Sequence, residues 1–452
     1  MTPLPTFAEA LRVWAYIGCV NFGGPAGQIA LMHRVLVEEK KWISDERYFH
    51  ALNYCMLLPG PEAQQLATYV GWLMHGVRGG LAAGLLFILP GALVMLGLSI
   101  LYVEFASVAF VADVFFGVKA AVLAIVIEAV VRISKRAFTG PAMTWIAAAA
   151  FIALFFFNVP FPLVVLGAGL AGFLGAQFAP EQFKSSGRKA GGNAASQLYA
   201  VDEAFARGAL GHAATTRGKT FATIAVWLVI WLLPVGMITL ALGPDNLFAT
   251  MALFFSKMSV VTFGGAYAVL AYVAQEAVAT YHWMTAPEML DGLALAETTP
   301  GPLILVLQHV GFIGAFRHAG FDPLLAGVIG AAVTLWVTFA PSFLWIFVGA
   351  PYAERVRANR QLSGALAAIT AAVVGVILNL AVWFALHVLF AKVDVVAVGL
   401  VQVHVPELAT MNIAALALSV AAAVALLRFK APVMALLGMS AIAGLVLRMS
   451  GL

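Results

Sequence analysis

The sequence predicts an all-α polytopic membrane protein: two inverted-topology repeats of about six apolar segments, joined by one linking transmembrane helix. Three observations carry this. Hydrophobic residues make up 63% of the 452-residue chain and charged residues 10%, against about 25% charged in soluble domains. Forty residues occur twice, at a constant offset. Lys and Arg change sides from one half of the chain to the other, as they do when the second half enters the bilayer reversed.

The repeated unit runs from Phe22 to Pro61 and from Phe263 to Pro302, with ten of the forty positions identical. Each copy opens on Phe-Gly-Gly (Phe22, Gly23, Gly24; Phe263, Gly264, Gly265), passes Trp42 or Trp283, and closes on Pro-Gly-Pro (Pro59, Gly60, Pro61; Pro300, Gly301, Pro302). Internal repeats flanked by apolar helices mark transporters built from two related halves. Glycine and proline suit an unbroken membrane helix poorly, so the two motifs predict broken or re-entrant helices there.

Uncharged runs long enough to cross a bilayer include Gly79 to Val103, Phe221 to Leu242, Leu324 to Gly349, Ser363 to Phe390 and Leu408 to Leu427. Phe115 to Val131 is a further span, and Met143 to Phe157 with Phe161 to Phe178 forms a helical hairpin that recurs at the end of the chain. The expected organisation is a first transporter repeat over 1–179, a cytoplasmic linker plus linking transmembrane helix over 180–246, and a second, inverted repeat over 247–452. Arg78, Arg132, Lys135 and Arg136 are the basic loop positions of the first half. Those of the second half, Arg355, Arg357, Arg360, Arg428 and Lys430, fall in loops that are bare in the first; Arg317 and Lys392 depart from the rule. The basic stretch Pro25 to Arg47 would lie outside if Thr6 to Gly24 crossed fully, which favours re-entrant hairpins with the motifs near their tips.

Two inverted halves would bring four broken segments to the membrane midplane. A helix restarting after such a break presents unpaired N–H groups and the positive end of its dipole, an anion-binding geometry. The alternative is that the glycines only permit close helix packing. Ionisable residues in apolar segments are costly and mark candidate sites. Lys257 lies six residues before Phe263 and is the candidate cationic ligand, with snorkelling or pairing with Glu297 as alternatives. Glu297, Thr298 and Thr299 precede the second Pro-Gly-Pro, Glu62 and Gln65 follow the first, and Gln28 lies four residues after Gly24. Lys119 and Glu128 fall in an apolar span.

Cys19 and Cys55 are read as packing residues rather than a disulfide. Gly211…Gly218-Lys219-Thr220 has the wrong glycine spacing and no preceding strand for a nucleotide-binding loop. The net charge of +4 is scattered and gives no case for nucleic acid. No metal, cofactor or catalytic residue is expected, and the start of the chain lacks a secretory signal pattern.

Phe-Gly-Gly…Trp…Pro-Gly-Pro, in two copies over nearly the whole chain, resembles the two-domain chromate ion transporter family. The resemblance implies secondary export of chromate, a tetrahedral oxyanion, from the bacterial cytoplasm across the inner membrane by a multi-pass protein, with chromate resistance as the outcome. Expected partners are the anion, the lipid bilayer and, as one compatible assembly, a second copy in a homodimer. The second copy carries Ala266 and Tyr267 where the first has Pro25 and Ala26, so the two motifs should contribute unequally. Sulfate has the same shape and charge as chromate, and a transporter or channel for it or another anion is the alternative. An integral-membrane enzyme is disfavoured by the lack of an acidic metal cluster, a His-Glu-x-x-His motif or a nucleophile elbow.

Overall fold

The computed structural model describes residues 4–106, 108–179, 182–183, 199–207, 216–263, 266–352, 360–399 and 401–450. Gly264, Gly265, Arg355, Arg357 and most of the linker lie outside the described residues. The chain is a helical polytopic protein, and among the described residues six helices are long and apolar enough to cross a membrane. It divides into two compact units, one of 1–96, 187–265 and 299–359, the other of 97–186, 266–298 and 360–452. Each unit draws on both halves of the sequence.

The first unit begins with α1 (Phe7–Val20), whose N-terminus is capped by Thr6: its Oγ1 accepts the Glu9 N–H at 3.2 Å. α1 ends at Asn21, and α2 (Gly24–His33) starts after Gly23 in the left-handed region, at φ 88°. A π-helical turn, Arg34–Glu39, leads into the Lys41–Trp42 corner. α3 (Asp45–Cys55), capped by Ser44, then runs to Pro-Gly-Pro, and α4 (Glu62–Phe105) follows. α4 is broken at His75 and Gly76 (φ 63°), so it serves as two helices.

Contacts fix which ends of these elements lie together. Lys40 Nζ is 3.6 Å from Glu9 Oε1, so the chain is back beside the start of α1 when it reaches the corner. His75 faces the Pro5 carbonyl at 2.9 Å and the Phe7 ring at 5.6 Å, so the break in α4 lies at the same end. A short helix, α8 (Ala200–Ala206), docks on that corner: Val201 N–H donates to the Trp42 carbonyl at 2.9 Å, and Asp202 accepts from Ser44 N and Arg47 Nε at 3.0 and 2.7 Å.

α9 (Arg217–Leu242) runs antiparallel to α14 (Pro323–Gly349), with Thr220 bonded to Tyr352 and Trp227 stacked on Phe343. α14 is also antiparallel to α4 beyond its break: a Cβ at Gly80 would meet Phe347, and one at Gly84 would meet Phe343. α10 (Leu247–Val261) opens beside the turn between α13 (Val306–His318) and α14, where Phe248 meets Phe321 at 6.1 Å.

The second unit holds α5 (Ala109–Ala137), α6 (Pro141–Phe155), α7 (Phe161–Phe178), α11 (Ala266–Gln275), α12 (Ala286–Thr298), α15 (Arg360–Leu389), α16 (Ile413–Leu427) and α17 (Val433–Met449). The hairpin of α11 and α12 repeats the backbone of α2 and α3. A π-helical turn, Glu276–Thr280, stands 241 residues after its counterpart. His282 is left-handed at φ 52° where Lys41 is at 55°. Trp283 N–H donates to Ala277 O at 2.8 Å, as Trp42 N–H does to Leu36 O at 2.9 Å. The retained tryptophans are therefore anchors of this corner, both buried.

Helix pairing in the second unit is exchanged between halves. α5 packs on α16 and α17, and α15 packs on α6 and α7. Small residues allow the approach: Gly117 lies against the Ser440 carbonyl, Gly375 against the Ala147 carbonyl, and Gly172 against Ala368. An antiparallel β-hairpin of β1 (Val393–Val398) and β2 (Val401–Pro406) departs from the purely helical expectation. Its valine-rich alternation suits strands, Gly399 turns it at φ 64°, and Gln402 N–H donates to the Phe156 carbonyl at 2.7 Å.

Gly117→Leu tests this packing, because a Cβ there would stand 1.8 Å from the Ser440 carbonyl oxygen. The purified variant should melt several degrees lower in detergent, for an overpacking cost of about 1–3 kcal/mol or more. An unchanged midpoint would mean that α5 and α17 separate freely there.

Candidate anion site and crossed junctions

The two Pro-Gly-Pro breaks are closed by the opposite half of the sequence, within the first unit. Gly60 N–H donates to the carbonyl of Thr262, the residue before the second Phe-Gly-Gly, at 2.8 Å. Gly301 N–H donates to Oδ1 of Asn21, the residue before the first Phe-Gly-Gly, at 2.6 Å. Thr262 and Asn21 are separated by the repeat offset, and so are Gly60 and Gly301. Each Pro-Gly-Pro glycine thus donates to the residue before the other copy's motif, in one junction to a backbone carbonyl and in the other chiefly to a side-chain oxygen.

Surrounding side chains complete each junction. Asn21 Nδ2 donates to the Phe87 carbonyl at 3.4 Å. Gln28 Nε2 donates to the carbonyls of Asn21 and Gly301, which ties the start of α2 to the second Pro-Gly-Pro. At the other junction, Gln65 Nε2 donates to the Pro59 carbonyl at 2.7 Å. These acceptors set the amide orientations and leave Gln28 Oε1 and Gln65 Oε1 buried without a hydrogen-bond donor among the described residues. Chromate and sulfate dianions offer acceptors only, so these oxygens are not suited to bind them. Gln28 and Gln65 hold the junctions.

The motif glycines differ in surroundings. Gly23, Gly24, Gly60 and Gly301 all have left-handed backbone, at φ 88°, 65°, 122° and 98°, which costs an L-residue about 1–2 kcal/mol. Gly60 and Gly301 are also enclosed. A Cβ at Gly60 would lie 2.8 Å from Ser342 Oγ, and one at Gly301 would lie 2.9 Å from Leu305 Cδ1 and 3.3 Å from Gly91 Cα. By contrast, a Cβ at Gly24 would meet nothing within 4 Å. The N-terminus of α2 has no side-chain cap and no acidic residue in its first turn, whereas α4 carries Glu62 in its own. Open space at Gly24, no side-chain cap and no acidic residue in its own first turn make α2 the N-terminus better suited to an anion.

The other predicted residues are distributed as follows. Thr299 is buried beside Pro300 in the first unit, and Pro61 is buried ahead of the half-buried Glu62. Lys257 is exposed on α10 in line with Leu253 and Val260. The aligned residues of α1, Arg12, Tyr16 and Cys19, are exposed as well. Glu297 and Thr298 belong to the second unit. There Tyr267 Oη donates to the buried Glu297 Oε1 at 2.6 Å, while Thr298 Oγ1 donates to the Leu295 carbonyl at 2.9 Å. Lys119 pairs with Asp291, which sequence reasoning missed because α12 carries too few apolar residues to register as a span. Asn21 and Thr262 were missed too; their signal was position, each one residue before the repeated motif.

A chain with this many apolar helices, broken at repeated glycine–proline motifs, belongs to the multi-pass membrane transporters. The family model described as chromate transporter matches residues 8–173 and 249–445, and the chain belongs to that family. It is 31% identical over 382 residues to the chromate transport protein of Pseudomonas aeruginosa, covering 83% of this chain and 80% of that one. It is 28% identical over 376 residues to the chromate transport protein of Cupriavidus metallidurans, covering 83% and 82%. A probable chromate transport protein of Synechococcus elongatus is 25% identical over 383 residues, covering 83% and 84%. No solved structure matches the chain.

Two substitutions separate the motif roles. Gly301→Leu should lower thermal stability by more than about 2 kcal/mol, combining left-handed strain with the clash at Gly91 and Leu305. Gly24→Leu should cost only about 1–2 kcal/mol and leave a folded protein with impaired anion binding. Equal stability loss in both would mean that Gly24 is a packing residue.

Proposed function

We propose that the protein is a secondary transporter that exports chromate from the cytoplasm across the inner membrane and so confers resistance to it. The observation that carries this reading is the pair of reciprocal junctions, which binds two inverted repeats at their broken helices. Antiparallel packing of α4 beyond Gly76 on α14 supports the inversion, since these are corresponding helices of the two halves. Phe87, beside Asn21, lies ten residues past Val77 on α4, about 15 Å of helix. That is half of a hydrocarbon core of about 30 Å, which supports junctions near the midplane if the helix enters the bilayer at Val77. The Lys40–Glu9 contact supports α1 and α2 as a re-entrant pair with its tip at Gly23 and Gly24. The linker helix α8 docks at the open end of that pair, and a cytoplasmic basic corner there agrees with the retention of Lys and Arg on that side.

In this reading the anion meets the N-terminus of α2, and the Pro-Gly-Pro glycines and Gln28 and Gln65 hold the site in shape. Lys257 supplies a cationic charge from α10. Expelling a dianion down about 100 mV, inside negative, releases roughly 4.6 kcal/mol, so export needs no nucleotide.

Purified protein in liposomes should move labelled chromate with no second substrate present, and excess sulfate added as competitor reports the anion preference. Failure to move any oxyanion would overturn the reading. Lys257→Gln should nearly abolish flux while Lys257→Arg keeps part of it; wild-type flux in Lys257→Gln removes Lys257 from the site. Cysteines placed at Arg78 and Arg317, both exposed, should be labelled from opposite faces of the membrane. Labelling from one face would end the inverted-repeat reading.

A further inference from the structure

Two carboxyl groups on α12 are set up alike. Asp291 is 4% exposed; Tyr102 Oη donates to its Oδ2 at 2.8 Å, and Lys119 Nζ stands 3.2 Å from its Oδ1. Glu297 is also 4% exposed and takes its hydrogen bond from Tyr267. Arg132 and Glu128 of α5 act on it electrostatically and pair with each other at 3.6 Å. Each carboxyl thus has a phenol from another helix, and Asp291 has Lys119 of α5 in contact as well. Six residues separate the two, about 9 Å along α12.

Glu288, one turn earlier on α12, also faces Asp291 electrostatically, and Arg448 of α17 lies 4.6 Å over the Phe116 ring, one turn before Lys119. α15, which also packs on α12, has no charged side chain between Gln361 and Leu386. None of this chemistry is required by the shared fold. The aligned residues of the first repeat are His50, Met56 and Ala26 in place of Asp291, Glu297 and Tyr267.

A buried ion pair is weak evidence of stability, because desolvation offsets its attraction, and ionisable residues among membrane helices mark ion and proton paths. Connectivity gives these residues a means of acting on the site. The segment 266–298 belongs to the second unit, and the chain passes to the first unit after Gly265 on one side and at Thr299 on the other. Both crossings fall at the second repeat's own motifs, Phe-Gly-Gly and Pro-Gly-Pro.

We propose that Asp291 is the proton-exchanging group of the transport cycle, with Lys119 as its alternating partner and Glu297 as a second proton station. As a carboxylate, Asp291 neutralises Lys119. On accepting a proton it becomes a neutral acid, Lys119 keeps its positive charge, and the ammonium, 24% exposed, is released to attract the anion. Loss of that proton restores the pair and displaces the anion. Anion movement is thereby tied to proton movement. This rests on the transport reading.

The test uses the full chain in liposomes with the potential clamped at zero by potassium and valinomycin. Chromate flux and internal pH are followed after a pH gradient is imposed. In the wild type the gradient should drive net chromate flux with matching proton movement. Asp291→Asn, which keeps a partner for Tyr102, should reduce both at least about tenfold while chromate-for-chromate exchange persists. The double variant Asp291→Asn with Lys119→Gln leaves no lone buried charge, so it guards against misfolding: it should melt like the wild type in detergent and show no chromate response to the gradient. A wild-type response to the gradient in either variant overturns the proposal. So does wild-type exchange without proton movement, which leaves the transport reading standing. Absence of any exchange by the wild type sinks both.

Discussion

The structure depends on a hydrogen-bonded closure made twice. A left-handed glycine in each Pro-Gly-Pro turns its N–H toward the residue that ends the opposite half's first helix. Breaking a helix inside a membrane exposes backbone groups that lipid cannot satisfy, at several kcal/mol each. Reciprocal closure removes much of that penalty, and it uses only the breaks themselves. Glycine and proline are retained in both copies because the bond needs a positive φ at its centre and flanking residues that stop the helices. Gly91 and Ser342, beside the two glycines, stand directly after Pro90 and Pro341 in the corresponding long helices, so even the packing around the bonds is paired.

Against that symmetry, the chemistry is unequal. The first Phe-Gly-Gly opens a helix N-terminus into free space, while Asp291, Glu297 and Tyr267 occur in the second repeat only. One copy is therefore suited to meeting an anion and the other to holding charge. Duplicated architecture supplies the breaks, and divergence decides what each break does.

Much of this was legible in the sequence. The spans of α4, α7, α9, α14 and α15 followed from uncharged runs, and that of α5 from an apolar run holding Lys119 and Glu128, because lipid selects length and apolarity directly. The repeat announced the broken helices, since glycine and proline have few other uses there. Three kinds of feature were not legible. The exchanged pairing, in which α5 takes α16 and α17 while α15 takes α6 and α7, leaves no trace in hydropathy, because each helix looks equally apolar whichever partner it meets. The bonds from Gly60 to Thr262 and Gly301 to Asn21 involve backbone donors that every residue possesses. The β-hairpin after α15 is too short to register against helices of thirty residues, although its alternating valines were visible.

Reciprocal closure also constrains how the protein is made. Gly301 meets Asn21 across 280 residues, so the first repeat leaves the ribosome with its broken end unsatisfied and keeps it so through the linker and most of the second. The same wait separates α1 from the helix that completes it, because Gly18 packs early on the Leu86 carbonyl while the tip next to it stays open. Until synthesis passes Pro302, the nascent first half is a helix assembly with an exposed polar gap in the bilayer, a natural substrate for insertion chaperones and quality-control proteases.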